Sequence, residues 1–292
     1  MLPSEVMRHV KRIELRTRRL VATLFSGEYR SVFRGHGIEF AEVRAYEQGD
    51  DYRAIDWNVS ARMASPFVKT FMEERELTLL LVVDRSGSVE FGEPTTKAQL
   101  AVEVAAVLAL AAARQNDRVG AVMFSDGIDH VVRPAKGRRH ALRVIRDLLA
   151  FQPERRRTNI GAALTYSARL LRHRAIIVVI SDFRAAEWEQ PLRRISRRHE
   201  AVAITVDDPR ELDLPDAGWI ELQDAETGGT VLVDTSHAAT RTRIQIAAEQ
   251  ARMRRARALA QAQVDHIALR TDRPYAQELH QAFARRARRL SR

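Results

Sequence analysis

Three short stretches of this chain carry oxygen-bearing side chains directly after or beside apolar runs. The first is Asp84-Arg-Ser-Gly-Ser88, which follows the continuous β-type run Leu77-Thr-Leu-Leu-Leu-Val-Val83. An acid with two hydroxyls at two-residue spacing presents three hard oxygens to one point. That donor set suits Mg2+, Ca2+ or Mn2+ and not a thiophilic metal. Ser181-Asp182 ends a second apolar run, Ala175-Ile-Ile-Val-Val-Ile180, and Thr158 opens the helix predicted ahead of it. Loops at the carboxyl ends of the strands converge in an open parallel sheet, so Asp84, Ser86, Ser88, Thr158 and Asp182 are expected to meet at one crevice. The competing reading of these residues is structural, with Ser88 and Thr158 capping helices and Asp182 starting a turn.

Each of the three loops also carries arginine: Arg85, the run Arg155-Arg156-Arg157, and Arg184. They form either an electropositive collar that steers an acidic partner to the site or an ordinary solvated rim. A collar would also weaken cation affinity through like-charge repulsion. A second acidic group, Asp50, Asp51 and Asp56, has the composition of a hydrolase metal site. However, Arg44, Arg53 and Arg62 are interleaved with it, which is the pattern of an ion-paired structural segment. Other reactive signatures fail. There is no G-x-x-x-x-G-K-[ST] loop, and Ser86 is not in a G-x-S-x-G turn. Ser86 also stands where a haloacid-dehalogenase pattern has its second Asp. The 9 histidines lack zinc spacing, and there is no cysteine. The expectation is a chain that is not an enzyme.

The elements that must position these residues read as an α/β fold. Strands at 77–83, 118–124, 128–133, 175–180 and 201–206 alternate with helices at 98–113, 138–151 and 160–171. Strands that are apolar throughout are those covered on both faces. Strand–helix alternation implies a mostly parallel, Rossmann-type sheet with helices on both sides. Ahead of it, Val6, Val10, Ile13, Leu20 and Leu24 recur at helical spacing, and residues 31–76 read as loop and short strands. Residues 1–76 are therefore expected to pack, as one N-terminal segment, on a main domain of 77–292. Within that domain, a hairpin turning at Glu226-Thr-Gly-Gly229 and a long helix at 238–262 form an insertion from about residue 210. A last strand at 266–269 and a final helix follow.

With 45% hydrophobic and 29% charged residues, a chain of 292 can bury a sizeable core. The net charge of +10 invites a nucleic-acid reading. Yet nearly all the basic residues are Arg, Lys11, Lys69, Lys97 and Lys136 being the only lysines, and they are scattered among 38 acidic residues. Aromatics make up 6%, which leaves few stacking platforms, and no zinc-finger or RNP motif is present. Net charge alone supports non-specific attraction, so nucleic-acid binding is the lesser expectation. The N-terminus lacks the apolar core of a secretory signal. The most apolar stretch, 100–113, contains Glu103 and is too short to span a bilayer. Together with the absence of cysteine, this leads to the expectation of a soluble cytoplasmic protein.

In chain order, Asp84-x-Ser86-x-Ser88, Thr158 in a second loop and Asp182 in a third resemble the metal-ion-dependent adhesion site of von Willebrand factor A domains. The resemblance implies that Ser86, Ser88 and Thr158 contact the ion while Asp84 and Asp182 hold its waters. Mg2+, the favoured ion ahead of Mn2+ or Ca2+, takes about six ligands; such domains leave one position for a carboxylate of the partner protein. Further motifs stand upstream, at Gly37-Ile-Glu-Phe40, Arg44-Ala-Tyr46, Gly49-Asp-Asp51, Ile55-Asp-Trp57 and Phe71-Met-Glu-Glu-Arg-Glu76. Others stand downstream, at Phe124-Ser-Asp126, Thr158-Asn-Ile-Gly161, Ser181-Asp-Phe183 and Asp224-Ala-Glu-Thr-Gly228. From about residue 30 to the C-terminus they resemble the bacterial family called domain of unknown function 58. Members of that family are linked with MoxR-type AAA+ ATPases. The resemblance therefore implies an adaptor or co-chaperone that binds such an ATPase or its client.

Overall fold

A computed structural model of the chain describes residues 6, 8, 10–15, 40–48, 50–63, 65–71, 77–211 and 213–290. Expectations at Leu20, Leu24, Gly37, Gly49 and residues 72–76 lie outside the described residues. The chain divides into two compact units, residues 33–77 and the remainder.

In the smaller unit β1 (Phe40–Ala45) pairs antiparallel with β2 (Phe67–Phe71). Between them lies a helix, α1 (Trp57–Met63), that the reading of loop and short strands did not include. It has no apolar stripe to detect: none of its residues is buried, and Trp57 is 71% exposed. A cap starts it instead, because Asp56 Oδ1 accepts from the backbone N–H groups of Asn58 (3.0 Å) and Val59 (3.3 Å).

In the larger unit, residues 10–15 are helical, with Val10 and Ile13 buried. The chain then runs through β3 (Thr78–Asp84), α2 (Lys97–Arg114), β4 (Arg118–Phe124), β5 (Ile128–Ala135), α3 (Arg138–Ala150), α4 (Ile160–Leu170), β6 (Ile176–Ser181), α5 (Glu189–Ser196) and β7 (Glu200–Asp207). It ends with β8 (Trp219–Gln223), β9 (Thr230–Asp234), α6 (Ala238–Gln261), β10 (Asp265–Arg270) and α7 (Tyr275–Leu290). Six strands form one sheet in the order β10-β7-β6-β3-β4-β5. All neighbours are parallel except β5, an antiparallel edge. Pro134 is tolerated in β5 because an edge strand has backbone groups with no ladder partner to lose.

This is the mostly parallel, Rossmann-type α/β sheet expected from the alternation of strands and helices. By order of appearance its strands lie 3-2-1-4-5-6, so the direction in which strands are added to the sheet reverses between the parallel neighbours β3 and β6, the place where ligands bind in open α/β sheets. Successive residues serve opposite faces. Leu80 and Val82 pack in one core with Ile160 and Leu164 of α4 and with Leu192 and Ile195 of α5. Leu79, Leu81 and Val83 are equally buried on the other side, where α2 packs beside β3 and β4. A capping box begins α2: Thr96 Oγ1 accepts from Gln99 N–H (3.1 Å), and Gln99 Oε1 accepts from Thr96 N–H (3.2 Å).

Helix α5 was not foreseen, since in eight residues it buries only Leu192 and Ile195, too little for a periodic signal. From β7 the chain reaches its parallel neighbour β10 through the antiparallel β8–β9 hairpin and α6. Gly228 turns the hairpin at φ +75°, a conformation that a Cβ disfavours. Both pieces are unusually exposed: Leu259 is the one buried residue of α6, and Trp219, Val231 and Leu232 are each more than 60% exposed.

Candidate metal centre at the strand switch point

Asp84 is the last residue of β3 and is fully buried. Its Oδ1 accepts from the Ser86 N–H at 2.9 Å, and its Oδ2 accepts from Ser181 Oγ at 2.6 Å, so neighbouring strand ends hold the carboxylate in one orientation. The hydroxyls of Ser86 and Ser88 lie 3.2 Å apart. Backbone bonds tie the Asp84–Ser88 loop, the turn after β4 and the segment that leads into α4 to one another. Arg85 N–H donates to Phe124 O, Gly87 N–H to Arg156 O and Asn159 N–H to Ser125 O, at 2.8, 2.8 and 2.7 Å. Thr158 is thereby drawn to the Ser86–Ser88 loop. It does not cap α4; Asn159 does, with Oδ1 accepting from Ala162 N–H at 2.9 Å. Ser88 caps nothing either, being inside a 3-10 turn whose cap position is Ser86. The hydroxyl of Thr158 instead donates to Glu226 Oε1 at 2.6 Å.

Asp182 follows β6 and is also fully buried. Its Oδ1 accepts from Arg184 N–H (3.2 Å), a turn of the kind the structural reading anticipated. Its Oδ2 accepts from the ammonium of Lys97 (2.8 Å), whose Nζ also reaches Glu211 Oε1 (2.7 Å). The guanidinium of Arg255 on α6 donates to the Asp182 carbonyl (2.6 Å) and to both oxygens of Asp207.

The two carboxylates therefore differ electrically. Burial, reinforced by the charge of Asp182, pushes Asp84 from 3.8 up to about 7 against the hydrogen bonds of Ser181 and Ser86. Burial pushes Asp182 upward as well, but the Lys97 ammonium, with Arg184, outweighs it and holds that carboxyl below the usual range. The donor set fits a hard dication: one buried carboxylate without a cationic side chain hydrogen-bonded to it, with hydroxyl oxygens alongside. Among the described residues no three carboxylates or imidazoles form a closed cage. Mg2+ needs none, because it keeps several waters and takes one or two carboxylates.

A pH dependence follows. With the folded pKa of Asp84 raised from 3.8 to about 7, the folded chain keeps a proton that the unfolded chain has already released across that window. Its contribution is fully present below about pH 4 and is lost as pH rises through about 7. In chelator, the melting temperature of the wild type should therefore fall relative to that of Asp84→Asn between pH 4 and pH 8. Parallel melting curves across that range would refute the raised pKa.

The family model described as "Protein of unknown function DUF58" matches residues 42–254. The chain belongs to that family. Among the relatives of this DUF58 chain, uncharacterized protein Rv1480 of Mycobacterium tuberculosis is 34% identical over 283 residues, 96% of this chain and 89% of that protein. Uncharacterized protein YeaD of Bacillus subtilis is 40% identical over 58 residues, 20% of this chain and 15% of that one. Similar solved structures include a von Willebrand factor type A protein from Catenulispora acidiphila, 12% identical, covering 75% of this chain and 44% of that one at a TM-score of 0.40. Another is an aerotolerance-related membrane protein from Bacteroides fragilis, 16% identical, covering 73% of this chain and 99% of that one at 0.48. These are likenesses of fold.

One expectation is corrected by them. The cytoplasmic placement does not stand, because the neighbours of this DUF58 chain include that membrane protein and an uncharacterized membrane spanning protein of Vibrio fischeri (16% identical, 72% and 97% covered, TM-score 0.27). Lack of cysteine and of a signal segment does not by itself assign a compartment. Among the described residues, no helix is long and apolar enough to cross a membrane.

The arginines of the DUF58 chain are also redistributed. Arg85 is not on the rim: it is 8% exposed, and its Nη2 donates to Phe151 O (3.1 Å) beside Glu90. Arg155 pairs with Asp126 (3.1 Å) and Arg184 with Glu211 (2.8 Å). Arg156 and Arg157 are exposed and have no ion-pair partner among the described residues. In the smaller unit Asp50 pairs with Arg44 (2.6 Å), Asp51 accepts from Arg53 N–H (2.9 Å) and Asp56 caps α1. Each of the three serves a local ion pair or cap.

Sequence reasoning missed Lys97, Glu211, Arg255 and Glu226. Glu226 stood inside the hairpin motif Asp224-Ala-Glu-Thr-Gly228 without being read as a site residue, and Lys97 left a compositional trace. In a DUF58 chain that uses Arg almost everywhere, a lysine at the mouth of an apolar helix is a choice composition does not explain. It also lies at the positive end of the helix dipole, where a cation is disfavoured unless an anion faces it.

Proposed function

We propose that this chain is a metal-dependent protein-binding module. A divalent cation, Mg2+ by preference, sits among Asp84, Ser86, Ser88, Thr158 and Asp182 and receives a carboxylate from a partner protein. The observation that supports this reading is the placement of Asp84 and the paired Ser86 and Ser88 hydroxyls at the switch point between β3 and β6, with Thr158 excused from capping. The ion would supply a Lewis-acidic anchor for the partner's carboxylate. Asp84 orients the loop, and Ser181 and the Ser86 amide hold Asp84. Lys97 neutralises Asp182, leaving Asp84 as the charge that attracts the ion.

The partner class proposed is a MoxR-type AAA+ ATPase or its client, with this chain as adaptor or co-chaperone and with no reaction of its own. The test is direct binding of the purified chain to a purified MoxR-type ATPase from the same genome, with Mg2+ and then with EDTA. Affinity that is indifferent to EDTA would sink the reading.

The exposed pair Arg156 and Arg157 adds a kinetic expectation. Replacing both with Ser should slow association with that partner several-fold at low salt and leave dissociation nearly unchanged, because exposed rim charges act on encounter. Equal association rates would mean that the pair plays no part in steering.

A further inference from the structure

The tip of the β8–β9 hairpin lies on the candidate site. Glu226 Oε1 accepts from Thr158 Oγ1 at 2.6 Å, the short separation of a hydrogen bond to a charged oxygen. The approach is close enough to dictate a residue type. A Cβ on Gly87, between Ser86 and Ser88, would stand 2.3 Å from the carbonyl oxygen of Ala225 and 3.1 Å from its carbon. Backbone cannot yield as a flexible side chain can, so glycine at 87 is what lets the hairpin seat. The tip is internally braced: Asp224 Oδ1 accepts from the N–H groups of Glu226 (2.9 Å) and Thr227 (3.3 Å), and Gly228 N–H donates to Asp224 O (2.8 Å). That bracing aims the Glu226 carboxylate as a fixed group. Elsewhere on the hairpin Trp219, Val231 and Leu232 face solvent.

We infer that Glu226 is a further residue of this site: it takes the place of the partner's carboxylate, so that the hairpin closes the site until a partner's acid displaces it. The inference rests on the cation-bearing reading of Asp84, Ser86, Ser88 and Thr158. It assigns the hairpin a role as an internal ligand and makes partner binding an exchange of one carboxylate for another. The affinity of any outside carboxylate is then reduced by the fraction of molecules in which Glu226 is seated.

The test uses the full chain loaded with Mn2+, acetate as the probe carboxylate, and water-proton relaxation as the readout of open positions on the ion. Glu226→Ala should raise the relaxivity of bound Mn2+ and should bind acetate at least about tenfold more tightly than the wild type. Gly87→Ala keeps Glu226 but pushes the tip away, and should behave like Glu226→Ala. Glu226→Gln, which preserves the hairpin's packing, should share the acetate response and so guards against misfolding as the explanation. Mn2+ bound by wild type and Glu226→Ala with equal relaxivity and equal acetate affinity would overturn this inference alone. Failure of the wild type to bind Mn2+ at all would overturn the adhesion-site reading, and this inference with it.

Discussion

Lys97→Met is expected to destabilise the protein by about 3–5 kcal/mol, the range for breaking a buried ion pair by removing one partner. At the size of this chain that corresponds to a fall in melting temperature of roughly 10 °C. Methionine keeps the length and apolar stem of lysine, so packing beside β3 changes little. What is lost is the ammonium 2.8 Å from Asp182 and 2.7 Å from Glu211. Asp182 is fully buried and would be left charged with no side-chain cation in contact. Arg184 still pairs with Glu211 (2.8 Å), which limits the damage on that side. Adding Asp182→Asn to the same chain should recover most of the loss, because the stranded charge goes with it. Mg2+ should stabilise Lys97→Met more than it stabilises the wild type, since the ion can then neutralise Asp182. Equilibrium unfolding in urea measures all three. A loss below about 1 kcal/mol for the single variant, the size of an exposed pair, would show that Lys97 is not the structural counter-charge described here.

Asp84→Asn should abolish Mg2+ and Mn2+ binding measured by calorimetry while leaving the far-ultraviolet spectrum native. The substitution is nearly isosteric. The oxygen of the introduced carboxamide can still accept from the Ser86 N–H, and the Ser181 hydroxyl can turn to accept from its NH2 group, so the loop keeps its course. The negative charge alone disappears. Because that charge is buried and is the one not neutralised by a lysine, a loss of affinity of at least about 100-fold is expected, in line with one lost charge contact at low effective dielectric. Asp182→Asn should be milder for the ion, since Lys97 already offsets Asp182. In chelator at pH 8, Asp84→Asn should melt higher than the wild type, because it removes a carboxylate that burial makes costly to ionise. Cation binding by Asp84→Asn within a few-fold of the wild type would place the ion elsewhere or nowhere.

Some of this was legible without coordinates. The run at 77–83 and the run at 175–180 are apolar on both faces, and a strand of that kind fits only inside a parallel sheet with helices on both sides. The Asp84-Arg-Ser-Gly-Ser88 motif is local: its oxygens share a loop whatever the rest of the chain does, and its position after the strongest strand already placed it at the binding edge of the sheet. The hairpin turn at residues 226–229 and the last strand were legible for the same reason, since both are written in neighbouring residues.

What local pattern cannot carry is the pairing of residues far apart in sequence. Lys97 meets Asp182 across 85 positions and Glu211 across 114, and Thr158 meets Glu226 across 68. Those contacts exist because β3 lies between β4 and β6 in the sheet and the long β7-to-β10 connection returns over the switch point, a consequence of strand order that no window of residues contains. Burial behaves the same way: Arg85 read as a rim charge because arginine is usually exposed, and only the packed loop turns it inward against Phe151 and Glu90. Helices α1 and α5 escaped because a cap and two apolar residues are too little periodicity to see. Gly87 joins the two levels. In the sequence it is an ordinary residue between two serines; in the structure it is the position where the Ala225 carbonyl comes too close for any side chain.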